Sequence, residues 1–161
     1  MRPPHRLRLA ALALTLPLAA TACAPKPQPG YVFAARAAAS AGPYGFVDPS
    51  SITTAAAQRR VNFLMVAPSK PAAGGKSYIT GQVTIDCGTG QTFLLSAQDF
   101  DDAAAPVGPA RQGSLGGATS DMGQMDAVTR ALICGGSAAP ANPPRFATVP
   151  AAIAWVRSGA H

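Results

Sequence analysis

Glutamate is missing from this chain of 161 residues, tryptophan occurs once, histidine twice, and charged residues make up only 12%. Each scarcity excludes something. Without glutamate there is no Glu pair for general acid–base work, and all 7 acidic residues are aspartates. Of the histidines, His5 lies in a basic N-terminal segment and His161 is the last residue. A Ser/His/Asp or Cys/His system would therefore hang on a chain end, without the packed shell that orients catalytic groups. The chain reads as a non-enzyme. Low charge beside 48% hydrophobic residues argues against a disordered protein, and the length against a polytopic membrane protein. Aromatics at 6% leave a small core, much of it alanine, in what is one domain's worth of chain. The net charge of +6 weakens once located: without Arg2, Arg6 and Arg8 the balance is 10 basic to 7 acidic residues, or +3, so nucleic acid is not an expected partner.

What is present begins with an address. Three arginines within residues 1–8 precede an apolar run over 9–22 that is too short to span a bilayer permanently. That is the layout of a secretory signal peptide. Its end, Ala20-Thr21-Ala22-Cys23, resembles the lipobox of bacterial lipoproteins, with Ala20 where leucine is usual. The resemblance implies lipidation of Cys23 as the first mature residue, a membrane partner through that lipid, and, with Ala24 following, the outer membrane. The proline-rich run 24–30 suits a tether, since proline fixes φ and removes backbone donors.

Cysteine parity follows. With Cys23 lipidated, Cys87 and Cys134 remain as a pair in an oxidising compartment, where a disulfide is the expected outcome. No CxxC or nearby histidine accompanies them, so metal is not expected. The expected organisation is a signal peptide over 1–22, a Pro/Ala-rich tether over 23–43, a sheet-plus-helix domain over 44–136, and a Pro-rich linker with a short amphipathic tail helix over 137–161.

Along the mature chain, residues 31–42 are alanine-rich and fit either a short helix or more tether. Residues 44–52 read as two short strands around a turn at Pro49. Residues 60–67 are dense in β-formers on both faces, the mark of a covered central strand. Ile79, Gly81, Val83, Ile85 and Cys87 alternate with polar residues, placing Cys87 on a core-facing row. A further strand is expected over 92–100, a loop over 101–120, and a helix over 121–134 ended by Gly135-Gly136. On that helix Met125, Ala127, Val128, Ala131 and Leu132 form the apolar arc with Cys134 at its margin, and Asp126 and Arg130 pair on the far side. Cys87 and Cys134 can meet only if the helix lies on the core-facing side of the sheet. The fold class is therefore α+β, a single antiparallel sheet with a C-terminal helix stapled to it by a disulfide, plus a terminal helix.

Two suggestive motifs carry no chemistry. Gly74-Gly75-Lys76-Ser77 echoes the end of a P-loop, but Lys70 stands where its first glycine belongs. Asp99, Asp101 and Asp102 lack the spacing of a calcium loop. No cofactor is expected.

Four segments together resemble a known family. Phe46-Val47-Asp48-Pro49-Ser50-Ser51-Ile52, Val83-Thr84-Ile85-Asp86-Cys87, Gln98-Asp99-Phe100-Asp101 and Ala131-Leu132-Ile133-Cys134 are similar, in order, to the surface-adhesin protein E family of small bacterial lipoproteins. A tryptophan expected before the helix is replaced by Leu115-Gly116-Gly117-Ala118. The resemblance covers about residues 44–136. It implies a disulfide-locked sheet and helix, adhesion to host extracellular-matrix or plasma proteins, and dimerisation. The residues alone reach only an anchored envelope domain, for which contact with other envelope proteins is the alternative role.

Overall fold

A computed structural model describes residues 30–36, 42–113 and 121–159. Residues 1–22, with the expected signal peptide, lie outside the described residues, as do Cys23 and His161.

The architecture grows from strand β3, Gln58–Val66. Val61 and Phe63 are buried on one face of the sheet, Leu64 and Val66 on the other. A strand apolar on both sides must be covered on both, which places it centrally. On one side it pairs along its full length with β4, Tyr78–Asp86, and on the other with β2, Tyr44–Ala55. β4 pairs with β5, Gln91–Phe100, and β2 with β1, Tyr31–Arg36. Two short strands, β6 at Arg111–Gln112 and β7 at Asp121–Gln124, share the outer edge of β5, while β8, Arg145–Phe146, closes the edge of β1. The order is β6-β5-β4-β3-β2-β1-β8, every pairing antiparallel. The expected α+β class is the observed one.

Gly81 illustrates how tightly β4 fits. A Cβ there would run into the Ser96 carbonyl oxygen and stand 2.8 Å from the Phe63 ring. The glycine in the alternating row is thus the space into which the neighbouring Phe63 lies.

Helix α1, Ala127–Cys134, covers one face. The Cys87–Cys134 disulfide ties its last residue to the end of β4, with the Cα atoms 5.7 Å apart. Its other end hangs on the same turn, where Met125 N–H donates to Gly90 O at 3.2 Å. Between them Arg130 donates to Cys87 O at 2.6 Å and Gly88 O at 3.1 Å. This overturns the expected Asp126–Arg130 pair. Asp126 is instead the helix N-cap, accepting from Thr129 N–H and hydroxyl at 2.9 and 2.6 Å. The cap also corrects the helix start, since residues 121–124 form β7 rather than a first helical turn. The expected arc holds in part: Ala131 is buried and Met125, Leu132 and Cys134 pack against the core, but Thr129 and Ile133 are buried too and Ala127 is exposed. Thr129 can turn inward because its hydroxyl is satisfied by the cap.

The other face is covered by α2, Val149–Ser158, whose Ala152 and Val156 are buried. Trp155 lies 5.3 Å from both Phe33 and Phe146, ring centre to ring centre, and 6.2 Å from Phe46 and Tyr44. Thr148 caps the helix, Pro150 fits its first turn, and Gly159 ends it in the left-handed region. Two expected boundaries change as a result. Residues 31–36 are a strand rather than tether, and residues 145–158 belong to the same folded unit through β8 and α2. The segment 48–51 is also corrected: it is an irregularity within β2, not a turn between strands. Pro49 cannot donate to the ladder, and the Ser51 hydroxyl takes the place of a carbonyl, accepting Asn62 N–H at 2.8 Å.

α2 is latched by Arg157, which donates at 2.7 Å to both Ser77 and Asp102. Hydrogen bonds from Arg157 and Ser77, together with the positive charge of Arg157 and Lys70, hold the Asp102 carboxyl below its usual range. The stabilisation of the latch is then complete above the ordinary carboxylate value and is lost as pH falls through the lowered one. Arg157→Met should move the Asp102 titration upward toward that ordinary value, read by carboxyl-carbon NMR, and should loosen α2.

Cys87→Ser and Cys134→Ser should each destabilise the fold by up to about 4 kcal/mol, the chain-entropy figure for a loop of this size. The double variant should be no worse than either single one in denaturant unfolding, because both remove one interaction.

Candidate functional site

α1 has 8 residues, a length of about 12 Å, whereas the 9 residues of β3 extend about 30 Å. Among the described residues, the helix therefore leaves part of its sheet face uncovered. The result is a cleft of about 410 Å³ between the first turn of α1 and strands β1 to β5. Its lining is mainly apolar: Ala34 and Ala35 from β1, Gly45 from β2, Phe63 and Met65 from β3, Val83 from β4, and Met125 beside the helix start. This volume and character fit the usual range for small-ligand pockets, about 300–1,000 Å³.

Local sequence explains the opening. Ala34 sits at a bulge in β1, so that Phe33 pairs with Phe46 on one face while Ala35 pairs with Gly45 on the other. Two small residues and a glycine at the sheet margin leave room that larger side chains would fill. Gly45 has no left-handed φ to satisfy, and a Cβ there would meet only Ala35 O, at 3.4 Å. Its smallness shapes the cleft rather than the backbone.

The polar groups at the cleft are already engaged. Thr129 donates its hydroxyl to Asp126, and Thr92 donates to Gly90 O at 3.4 Å. Arg36 borders the cleft, but its guanidinium lies over the Tyr44 ring, 4.9 Å from the centroid, on the side of the sheet that α2 covers. A second cleft of about 430 Å³, beside α2, contains Lys70, Asp102 and Arg157, whose charges pair with one another.

The sequence-marked aspartates are likewise committed. Asp99 is buried between Lys76 at 2.7 Å and Arg111 at 2.8 Å. Asp101 accepts Ala103 and Ala105 N–H groups, and Asp102 holds Arg157. Asp86, next to the disulfide, accepts Thr89 and Gly88 N–H groups, which hold its carboxyl below the usual range. Lys76 of the P-loop echo is thus an ion-pair partner, and Ser77 is part of the α2 latch. Among the described residues no group of three or more His, Cys or Asp is placed to hold a metal.

Cys87 and Cys134 are joined, as expected, and Cys23 lies outside the described residues. The sequence reading missed the cleft. No local pattern signals it, because the helix expected over 121–134 is shortened to eight residues only in the fold, where 121–124 join the sheet.

Asp126→Ala should cost about 1 kcal/mol through loss of the cap. It should also raise hydrogen exchange in the first turn of α1, where the helix borders the cleft, while leaving the disulfide intact by thiol titration.

Comparison with family models, with curated proteins and with solved structures finds no match for the chain.

Proposed function

We propose that the chain is an exported, lipid-anchored cell-envelope protein that works by binding. The observation that carries this reading is the apolar cleft on a disulfide-stapled sheet whose first strand begins just after the proline-rich run behind Cys23. Cys23 is the lipidated residue in this reading and Cys87–Cys134 the fastening of the domain. The outer membrane is the expected location, since Ala24 rather than aspartate follows the cysteine.

Two ligand classes fit such a protein. The resemblance of the Val83–Cys87 and Ala131–Cys134 segments to the surface-adhesin protein E family supports a host extracellular-matrix or plasma protein as ligand, bound by one copy or by a dimer. The apolar lining of the cleft favours the second reading, a non-adhesive role in contact with other envelope components. Burial of apolar surface suits a partner already in the envelope, whereas host-protein interfaces carry a polar rim and several hydrogen bonds.

The tests are direct. Mass spectrometry of membrane-extracted protein should give an acylated peptide beginning at Cys23, and a soluble product with another N-terminus would sink the anchor. Protease added to intact cells should leave the domain whole if it faces the periplasm. Rapid cleavage on intact cells would instead place it outside and favour adhesion.

A further inference from the structure

The cleft between α1 and the sheet has a size and chemistry from which its occupant can be named. Its volume is about 410 Å³. At about 30 Å³ for a group the size of a water molecule, that is space for roughly a dozen methylenes in a row. The lining is small and smooth at Ala34, Ala35 and Gly45, and two thioethers, Met65 opposite Gly45 on β3 and Met125 beside the helix start, also line the cleft. Methionine adapts to irregular apolar partners, which suits a chain that has no fixed shape of its own.

A polypeptide is the rival occupant, and the lining argues against it. An extended peptide must satisfy its own N–H and C=O groups when buried. The hydroxyl protons of Thr92 and Thr129 are already given to Gly90 O and Asp126. A hydrocarbon chain makes no such demand.

Placement points the same way. From Cys23 to Gly30 the chain can extend at most about 25 Å, and Ala34 and Ala35 follow about 15 Å further along β1. A domain anchored at Cys23 therefore carries its cleft close to a bilayer surface.

We infer that the cleft binds the acyl chain of a single-chain membrane lipid, its head group left in water at the mouth beside Asp126. This rests on the reading of the chain as membrane-anchored.

The experiment uses the full chain carrying Cys23→Ser, oxidised at Cys87–Cys134, so that no anchor of its own competes. Octyl, decyl, dodecyl and tetradecyl phosphocholine are titrated calorimetrically, each below its micelle-forming concentration. Affinity should rise about fourfold per methylene and level off near dodecyl, where the cleft is full. Gly45→Val places three carbons in the cleft and should weaken dodecyl binding by roughly fiftyfold, with the fold unchanged by near-UV circular dichroism. If that variant fails to fold, Ala35→Leu blocks the same space from β1.

Absence of saturable binding, or equal affinity in wild type and blocked variants, would overturn the inference. So would an apolar peptide that binds the cleft and is not displaced by dodecyl phosphocholine, which would assign it to a polypeptide. Chain-length-dependent binding by a protein whose native Cys23 proves unmodified would support the cleft and overturn the anchor alone. An acylated Cys23 with no such binding would do the reverse.

Discussion

A strand that is apolar on both faces cannot remain at an edge or on a one-sided sheet, and β3 is such a strand. Val61 and Phe63 point one way, Leu64 and Val66 the other, and all four are buried. Each face needs a cover, and the chain supplies two different ones. On one side α1 is short and held by covalent and polar ties to a single turn. On the other, α2 is held by aromatic packing around Trp155 and by the Arg157 latch. In a chain with 6% aromatics, eight rings are gathered on the α2 side: Tyr31, Phe33, Tyr44, Phe46, Tyr78, Phe100, Phe146 and Trp155. The α1 side is left with aliphatic residues, Phe63 and the disulfide.

That asymmetry has a structural consequence. Aromatic side chains fill volume and close the α2 face. Among the described residues, the α1 face is sealed only where the helix reaches, and small residues on β1 and β2 leave the remainder open. Three attachments along α1, at Met125, Arg130 and Cys134, all converge on the turn between β4 and β5. The helix is thereby held at one end of the sheet, and the uncovered part of the face becomes the cleft. Apart from Arg36 and Asp126 at its border, charged groups do not line it. Asp99, Asp101, Asp102 and Asp86 are each engaged by cations or backbone N–H groups within the fold. Electrostatics here fastens loops and the terminal helix, and the cleft is lined mainly by apolar side chains.

The sequence by itself determined the class of the fold, the central strands and the cysteine pairing. The alternation along β4 and the two-sided apolar run of β3 are properties of residues close in sequence, so they are legible without knowing any partner. The pairing of Cys87 with Cys134 followed from parity once Cys23 was set aside, and the Gly135 helix stop from local backbone preference. Tertiary structure decided the rest. β1 and β8 are too short or too alanine-rich to show a period, and they are strands because a neighbour offers an edge to pair with. Asp126 was read as one half of an ion pair on the helix surface. It became the cap because β7 claims the preceding residues for the sheet and Arg130 finds carbonyls 42 and 43 residues away in the chain. The docking of α2 depends on aromatic residues scattered from Tyr31 to Phe146, whose meeting no local pattern encodes. The cleft was least legible of all, because an opening is a mismatch between the extent of a sheet face and the reach of its cover, and that mismatch exists only once both are in place.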